Sequence, residues 1–370
     1  MYTKRLPIML ISGVLLFFCL QGVIAKQQSV NAEGIYLLTD NVLTLLHSSE
    51  PNLTESPTRA VPLPLRRSAY SQDEVANEFA ILFAELDSSG YTLYTVEVRG
   101  QDANFLPTET RLVKTNLLNN EREVLTEQPG IFAFSVSPDQ ANIALAYYDG
   151  LYEFGRRKTC VLNVITHVCT SVDVQFGDSP ALWLDSQHYV VTIPWQLAEV
   201  NITDFSIQVT PFPQEWSVFS SLLIPNTNVL VLAAENRNNH LSERPSYFLT
   251  FDLQSRELLQ LPYRAAPSTY YIIDTWAFSS NATYLVYGPS YGVSNRMAVI
   301  EFETGRLIAE FHDVRNYQWL NDETLALQGP LNNTFPSIVL LNASTSEITS
   351  LATGSAAEGI MLVAPESSSE

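Results

Sequence analysis

Residues 131–147 read IFAFSVSPDQANIALAY. Two short apolar runs flank Ser137-Pro138-Asp139-Gln140, and this quartet has the chemistry of a tight turn. Pro138 presets φ, and the Asp139 carboxylate is placed to accept backbone N–H groups further along. An apolar run, a turn and a second apolar run over so few residues describe a β-hairpin. The same device recurs along the chain, so the fold is to be sought in a repeat.

Residues 137–145 align without gaps on Ser279-Ser280-Asn281-Ala282-Thr283-Tyr284-Leu285-Val286-Tyr287. Ile224-Pro225-Asn226-Thr227-Asn228-Val229-Leu230-Val231-Leu232 fits the same frame. Two copies carry a shortened turn: Trp183-Leu184-Asp185 before Tyr189-Val190-Val191, and Trp319-Leu320-Asn321 before Thr324-Leu325-Ala326. Each copy is followed by a third and a fourth β-rich run, and no helical period intervenes. Units start near Phe79, Ile131, Ala181, Ser217, Tyr271 and Tyr317, roughly 40–48 residues apart, the period of a four-stranded propeller blade. A blade cannot bury both faces alone, and radial packing buries each against a neighbour.

The S-P-D-x-x-x-I-A pattern followed by strand, turn and strand resembles the WD-repeat-like propeller repeats of TolB-like periplasmic proteins. The resemblance runs from about Phe79 to Thr353 and implies an all-β propeller of four-stranded antiparallel blades. The turn's usual glycine is replaced by Gln140 and Ala282, and nothing corresponds to the separate N-terminal domain of TolB. Residues 34–38 and 42–46 read as a further strand pair, and residues 359–363 as a last strand. Joining them gives a ring of seven blades closed by both termini, which ties down ends that would otherwise fray. The alternative is six blades, with the first hairpin extending the last one. The propeller is expected over residues 34–364, with a Pro/Ser-rich loop at 51–77 and a disordered tail at 365–370.

Residues 1–25 have the layout of an export signal: Lys4 and Arg5, an apolar stretch, and Val23-Ile24-Ala25 before Lys26. An uncleaved N-terminal anchor is the alternative, and residues 26–33 are a short polar lead. The rest is expected to be extracytoplasmic. Removal of the signal leaves Cys160 and Cys169, a pair flanking a hairpin turn and a candidate disulfide in an oxidising compartment. A formal net charge of −19 sets the chain against nucleic acid and anionic membranes. Five N-x-S/T sequons (Asn52, Asn201, Asn281, Asn332, Asn342) are about what so much Asn, Ser and Thr would produce by chance.

No catalytic constellation emerges, and neither a metal nor another cofactor is expected. Gly288-Pro289-Ser290-Tyr291-Gly292 matches the nucleophile-elbow spacing, but the chemistry requires a helix after the serine, and a strand follows here. The five histidines lack metal-ligand spacing, and His188 reads as structural. Residues 85–90 lack the alternating oxygens of a calcium loop and read as a β-turn. The loops between second and third strands are the long ones: 100–109, 148–158, 235–245, 288–296 and 329–336. They bring Phe105, Tyr148, Tyr152, Phe154, His240, Arg244 and Tyr291 to one face of the disc, with Trp195 near another such loop. Aromatics with arginine on long loops are binding anchors, unless they merely pack their own loops. The expected function is a non-enzymatic, monomeric scaffold for a protein or cell-envelope component. The alternative is a propeller enzyme acting on glycans or peptides through acidic or His residues at the channel mouth.

Overall fold

A computed structural model describes residues 34–39, 42–48, 58–60, 79–87, 91–101, 107–149, 156–174, 181–238, 246–264, 275–288, 296–331, 336–357 and 360–364. The export segment, the polar lead, most of residues 51–77, Ser290 and the tail lie outside them.

The chain opens with β1 (Gly34–Thr39), β2 (Val42–Ser48) and β3 (Thr58–Ala60). The first blade is β4 (Ala80–Leu86), β5 (Thr92–Gln101), β6 (Pro107–Asn116) and β7 (Arg122–Glu127). The second is β8 (Ala133–Val136), β9 (Asn142–Asp149), β10 (Arg156–Asn163) and β11 (Cys169–Val172). The third is β12 (Leu182–Trp183), β13 (His188–Ile193), β14 (Gln196–Asn201) and β15 (Ile207–Pro211). The fourth is β16 (Trp216–Leu223), β17 (Val229–Asn236), β18 (Ser246–Asp252) and β19 (Leu258–Arg264). The fifth is β20 (Thr275–Phe278), β21 (Tyr284–Gly288), β22 (Arg296–Glu301) and β23 (Arg306–His312). The sixth is β24 (Asn316–Trp319), β25 (Thr324–Gly329), β26 (Ser337–Asn342) and β27 (Glu347–Thr353). β28 (Ile360–Ala364) ends the series.

Each of these six blades is an antiparallel meander of consecutive strands, and the unit starts read from the sequence lie within a few residues of β4, β8, β12, β16, β20 and β24. The remaining strands form a seventh four-stranded sheet, ordered β28-β1-β2-β3. Its two chain ends pair in register, Ile35↔Val363 and Leu37↔Met361, and the β1–β2 hairpin extends no neighbouring sheet. β28 touches both β24 and β4, so this terminal sheet stands between the sixth blade and the first. β3 corrects the reading of residues 51–77 as loop throughout. Thr58 to Ala60 pair with Thr44, Leu43 and Val42, a strand defined by the free edge of β2 rather than by its own composition.

Alternation of side chains places successive residues of one strand in different interfaces. Leu230, Leu232 and Ala234 pack towards the third blade, whereas Val231 and Ala233 pack towards the fifth. This explains why the middle strands are continuously apolar instead of alternating. Tyr94, Val96 and Leu112 meet Phe134, Ile143 and Leu145 between the first and second blades. Ile35, Leu37 and Met361 seat the terminal sheet on Ala326, Ile338 and Leu340. Each such Val, Leu, Ile, Phe or Met side chain contributes about 1.5–3 kcal/mol by burial, the alanines less. The two short-turn tryptophans also tie blades together: Trp183 Nε1 donates to Ser135 O and Trp319 Nε1 to Ala277 O, each at 3.0 Å.

The turns follow from side-chain chemistry. Ser137 Oγ donates to Asp139 Oδ1 at 2.6 Å, and Asp139 Oδ1 accepts Ala141 N at 3.1 Å. The Asn281 copy repeats this, with Ser279 Oγ at 3.0 Å and Thr283 N at 2.9 Å. Gln140 (φ 59°) and Ala282 (φ 61°) occupy the left-handed region where the repeat's glycine is missing. In the Ile224 copy it is Asn226 that turns left-handed, one position earlier in the alignment. An L-residue in that region costs about 1–2 kcal/mol, partly offset by the lower unfolded-state entropy of a non-glycine residue. Gln140→Gly is therefore expected to stabilise the protein by about 0.5–1 kcal/mol, read as a higher urea midpoint; a lower midpoint would refute this account of the turn.

The third-to-fourth turns share a second rule that the sequence reading missed. Asn116, Asn163, Asn201, Asp252 and Asn342 each end a third strand and accept a backbone N–H from the turn through Oδ1. Four positions later come the left-handed residues Asn120, His167, Phe205, Arg256 and Ser346, and in the fifth blade Gly305 after Glu301. Three of the sequon asparagines, Asn201, Asn281 and Asn342, are thus turn acceptors.

Candidate functional site: the long-loop face

Strand direction puts the second-to-third loops and the blade-to-blade connections on one face of the disc, and the short turns on the other. The structure describes two of the eight expected binding residues, Tyr148 and Trp195. Phe105, Tyr152, Phe154, His240, Arg244 and Tyr291 lie outside the described residues. Tyr148 is not in a loop as expected. β9 and β10 continue pairing through Tyr148↔Arg157 and Asp149↔Arg156, so the ladder itself shortens that loop to residues 150–155. The loop at 100–109 shortens in the same way, because Gln101 still pairs with Pro107.

Three stations of arginine over aromatic rings stand along this face. In the first blade, the Phe79 ring has the Arg111 guanidinium carbon 3.6 Å and that of Arg99 4.5 Å from its centroid. Arg99 also donates through Nε to Glu109 Oε2 at 3.0 Å. In the second blade, Phe132 and Tyr148 pack with centroids 4.9 Å apart, and Arg157 lies 5.6 Å from the Phe132 centroid. The third station joins two blades: Trp195, on the two-residue Pro194-Trp195 turn, carries Arg237 of the fourth blade 3.0 Å from its ring centroid. Backbone bonds fix that turn, with Phe212 N donating to Trp195 O at 2.8 Å and Val218 N to Pro194 O at 3.1 Å.

A guanidinium over a ring contributes about 0.5–1 kcal/mol where exposed, and it holds both groups in place. Trp195 remains 45% exposed, which leaves ring surface open to a ligand. Phe79, Arg99, Arg111, Phe132, Arg157 and Arg237 were not singled out from the sequence. The signal that could have found some of them is an arginine at the long-loop end of a strand, as at Arg99, Arg157 and Arg237.

Cys160 and Cys169 form a disulfide across β10 and β11, with Cα atoms 5.6 Å apart. His188 is half-buried at the start of β13, its Nδ1 2.9 Å from Asp185 Oδ2. Asp87 accepts Tyr91 N and Thr92 N at 3.0 Å each, a turn and not an ion loop. Among the described residues no group of His, Cys, Asp and Glu has the arrangement of a metal site. Glu85 stands apart. It lies on β4, exposed at its surface yet closely surrounded by protein, and this loss of solvation pushes its carboxyl up to about 7.

No protein-family model and no curated protein sequence matches the chain. Solved structures do. The periplasmic gluconolactonase of Pseudomonas aeruginosa is 11% identical with a TM-score of 0.55, over 90% of this chain and 99% of that one. A prolyl endopeptidase is 9% identical with a TM-score of 0.57, over 89% of this chain but only 50% of that one. An oligogalacturonate lyase, solved in complex with manganese, is 12% identical with a TM-score of 0.51, over 70% and 75%. At these identities the likeness is one of fold, the β-propeller.

Proposed function

We propose that this chain is an extracytoplasmic, monomeric, non-enzymatic propeller that binds a protein or cell-envelope component through its long-loop face. The observation that carries this reading is the set of three arginine–aromatic stations on successive blades, with Trp195 left open beside Arg237. The export-like N-terminus, the TolB-like repeat pattern and the disulfide support the compartment. No helix among the described residues is long and apolar enough to cross a membrane. Immobilised wild-type chain is expected to retain a component of its source's envelope fraction. The Trp195→Ala, Arg237→Ala double variant, folded with the same melting temperature, is expected to retain it at least about tenfold more weakly, about 1.4 kcal/mol. Undiminished retention by the variant would sink the proposal.

A second reading is favoured by Glu85. A carboxyl titrating near neutrality is suited to general acid–base work, and two of the similar structures are named as a gluconolactonase and an oligogalacturonate lyase. Turnover of lactone or oligogalacturonate substrates that disappears in Glu85→Gln would favour the enzyme over the scaffold.

A further inference from the structure

The seam between the first blade and the terminal sheet, where the ring closes, holds two buried donors that no described residue answers. Thr115 is fully buried, and it pairs directly with Arg122 across β6 and β7. Thr115 Oγ1 and Arg122 Nε are both shielded from solvent, and neither has a hydrogen-bond partner among the described residues. Residues paired across neighbouring strands share a face, and here that face looks onto the seam. Tyr94 and Val96 pack on the second blade, so Leu93, Thr95 and Glu97 point away from it. Thr115 pairs with Leu93 as Val113 does with Thr95. On the other side, Ile35, Leu37 and Met361 pack on the sixth blade. Tyr36 and Leu362, both buried, are therefore turned towards the first.

The chemistry of the two atoms selects what they hold. Arg122 Nε can only donate, and the Thr115 hydroxyl can donate as well. A buried donor without an acceptor is costly. The charge around them is positive, because the Arg111 and Arg122 guanidinium groups share the one buried carboxylate of Glu97. The other charges on this face lie towards its long-loop end, where Glu109 is bound to Arg99 and Glu127 is exposed opposite Arg111. Lys114 and Glu123, paired with each other, belong to the second-blade side. Water satisfies either donor but leaves the excess charge uncompensated. An anion answers both needs, and the burial of both atoms restricts it to a small one.

We infer that Thr115 Oγ1 and Arg122 Nε hold a small monovalent inorganic anion, such as chloride, at this seam. Its binding helps to keep the terminal sheet on the first blade, so ring closure responds to the anions in the surroundings. The site is independent of the long-loop face and of what binds there.

The test is the melting temperature of the full chain as sodium gluconate is exchanged for sodium chloride, and separately for sodium bromide, at constant ionic strength. Holding ionic strength fixed removes the general screening of surface charge. A ligand that binds only the folded chain raises Tm with its concentration, and gluconate is too large for the site. The wild type is expected to melt several degrees higher at the chloride end, with bromide acting alike. Thr115→Ser keeps the hydroxyl and is expected to keep the rise. Thr115→Val keeps the shape without the hydroxyl; it is expected to fold alike and to need about tenfold more chloride for the same rise. No rise in the wild type would overturn the inference, since water would then serve both donors. An equal rise in Thr115→Val would overturn it as well, because chloride would then be acting elsewhere.

Discussion

Glu97→Ala is expected to destabilise the protein by about 3–5 kcal/mol, the cost of leaving buried charge without its partner. The Glu97 side chain is fully buried, and two arginines from neighbouring strands converge on it. Arg111 Nε donates to Oε2 at 2.8 Å, Arg122 donates to Oε1, and Thr95 Oγ1 adds a bond to Oε1 at 3.2 Å. Tyr94 and Val96 point from β5 into the second blade, so Thr95 and Glu97 point the other way, towards the terminal sheet. Removing the carboxylate strands two guanidinium groups that are only 18% and 23% exposed. The expected readout is a lower urea midpoint followed by tryptophan fluorescence. Replacing Glu97, Arg111 and Arg122 together by apolar residues of similar volume should cost much less, because no charge is left unpaired. A loss below about 1 kcal/mol for Glu97→Ala, the range of an exposed pair, would show that water reaches the cluster.

Gly329→Ala is the second large effect, expected at about 2–5 kcal/mol. Gly329 ends β25 with φ 153°, a region that side chains rarely enter. A Cβ there would lie 2.2 Å from Asp313 O and 3.0 Å from Arg315 N. Both atoms belong to the backbone that carries the chain from the fifth blade into the sixth, where Arg315 N also donates to Gln328 O at 2.8 Å. Neither atom has room to yield as a flexible side chain would. Gly354→Ala supplies the control: its φ is +64°, but nothing lies within 4 Å of the added Cβ. It should therefore lose only the backbone term, about 1 kcal/mol. Equal losses at the two positions would mean that the close approach at Gly329 contributes nothing.

The Asp139 and Asn281 turns were legible because their chemistry is local. Acceptor and donor lie within five residues, and the same side-chain types recur at the same spacing. The third-to-fourth turns obey an equally local rule, missed because Asn163-x-x-x-His167 and Asp252-x-x-x-Arg256 share a conformation without sharing a residue at its left-handed position. The candidate site was legible only in part. Trp195 was placed near a long loop, but it stands on a two-residue turn because Ile193 pairs with Gln196, and its partner Arg237 comes from the next blade, 42 residues further along by numbering.

What the sequence by itself determined is the repeating four-strand unit, its starts and its first turns. Alternating or continuous apolar runs and turn residues act over a few bonds' reach of the backbone, whatever the rest of the chain does. Only the tertiary structure decided that β1 pairs with β28, that Glu97 collects Arg111 and Arg122, and that His167 meets Glu123. These contacts join residues brought together by radial packing of the blades, and nothing in the local pattern of either partner specifies the other.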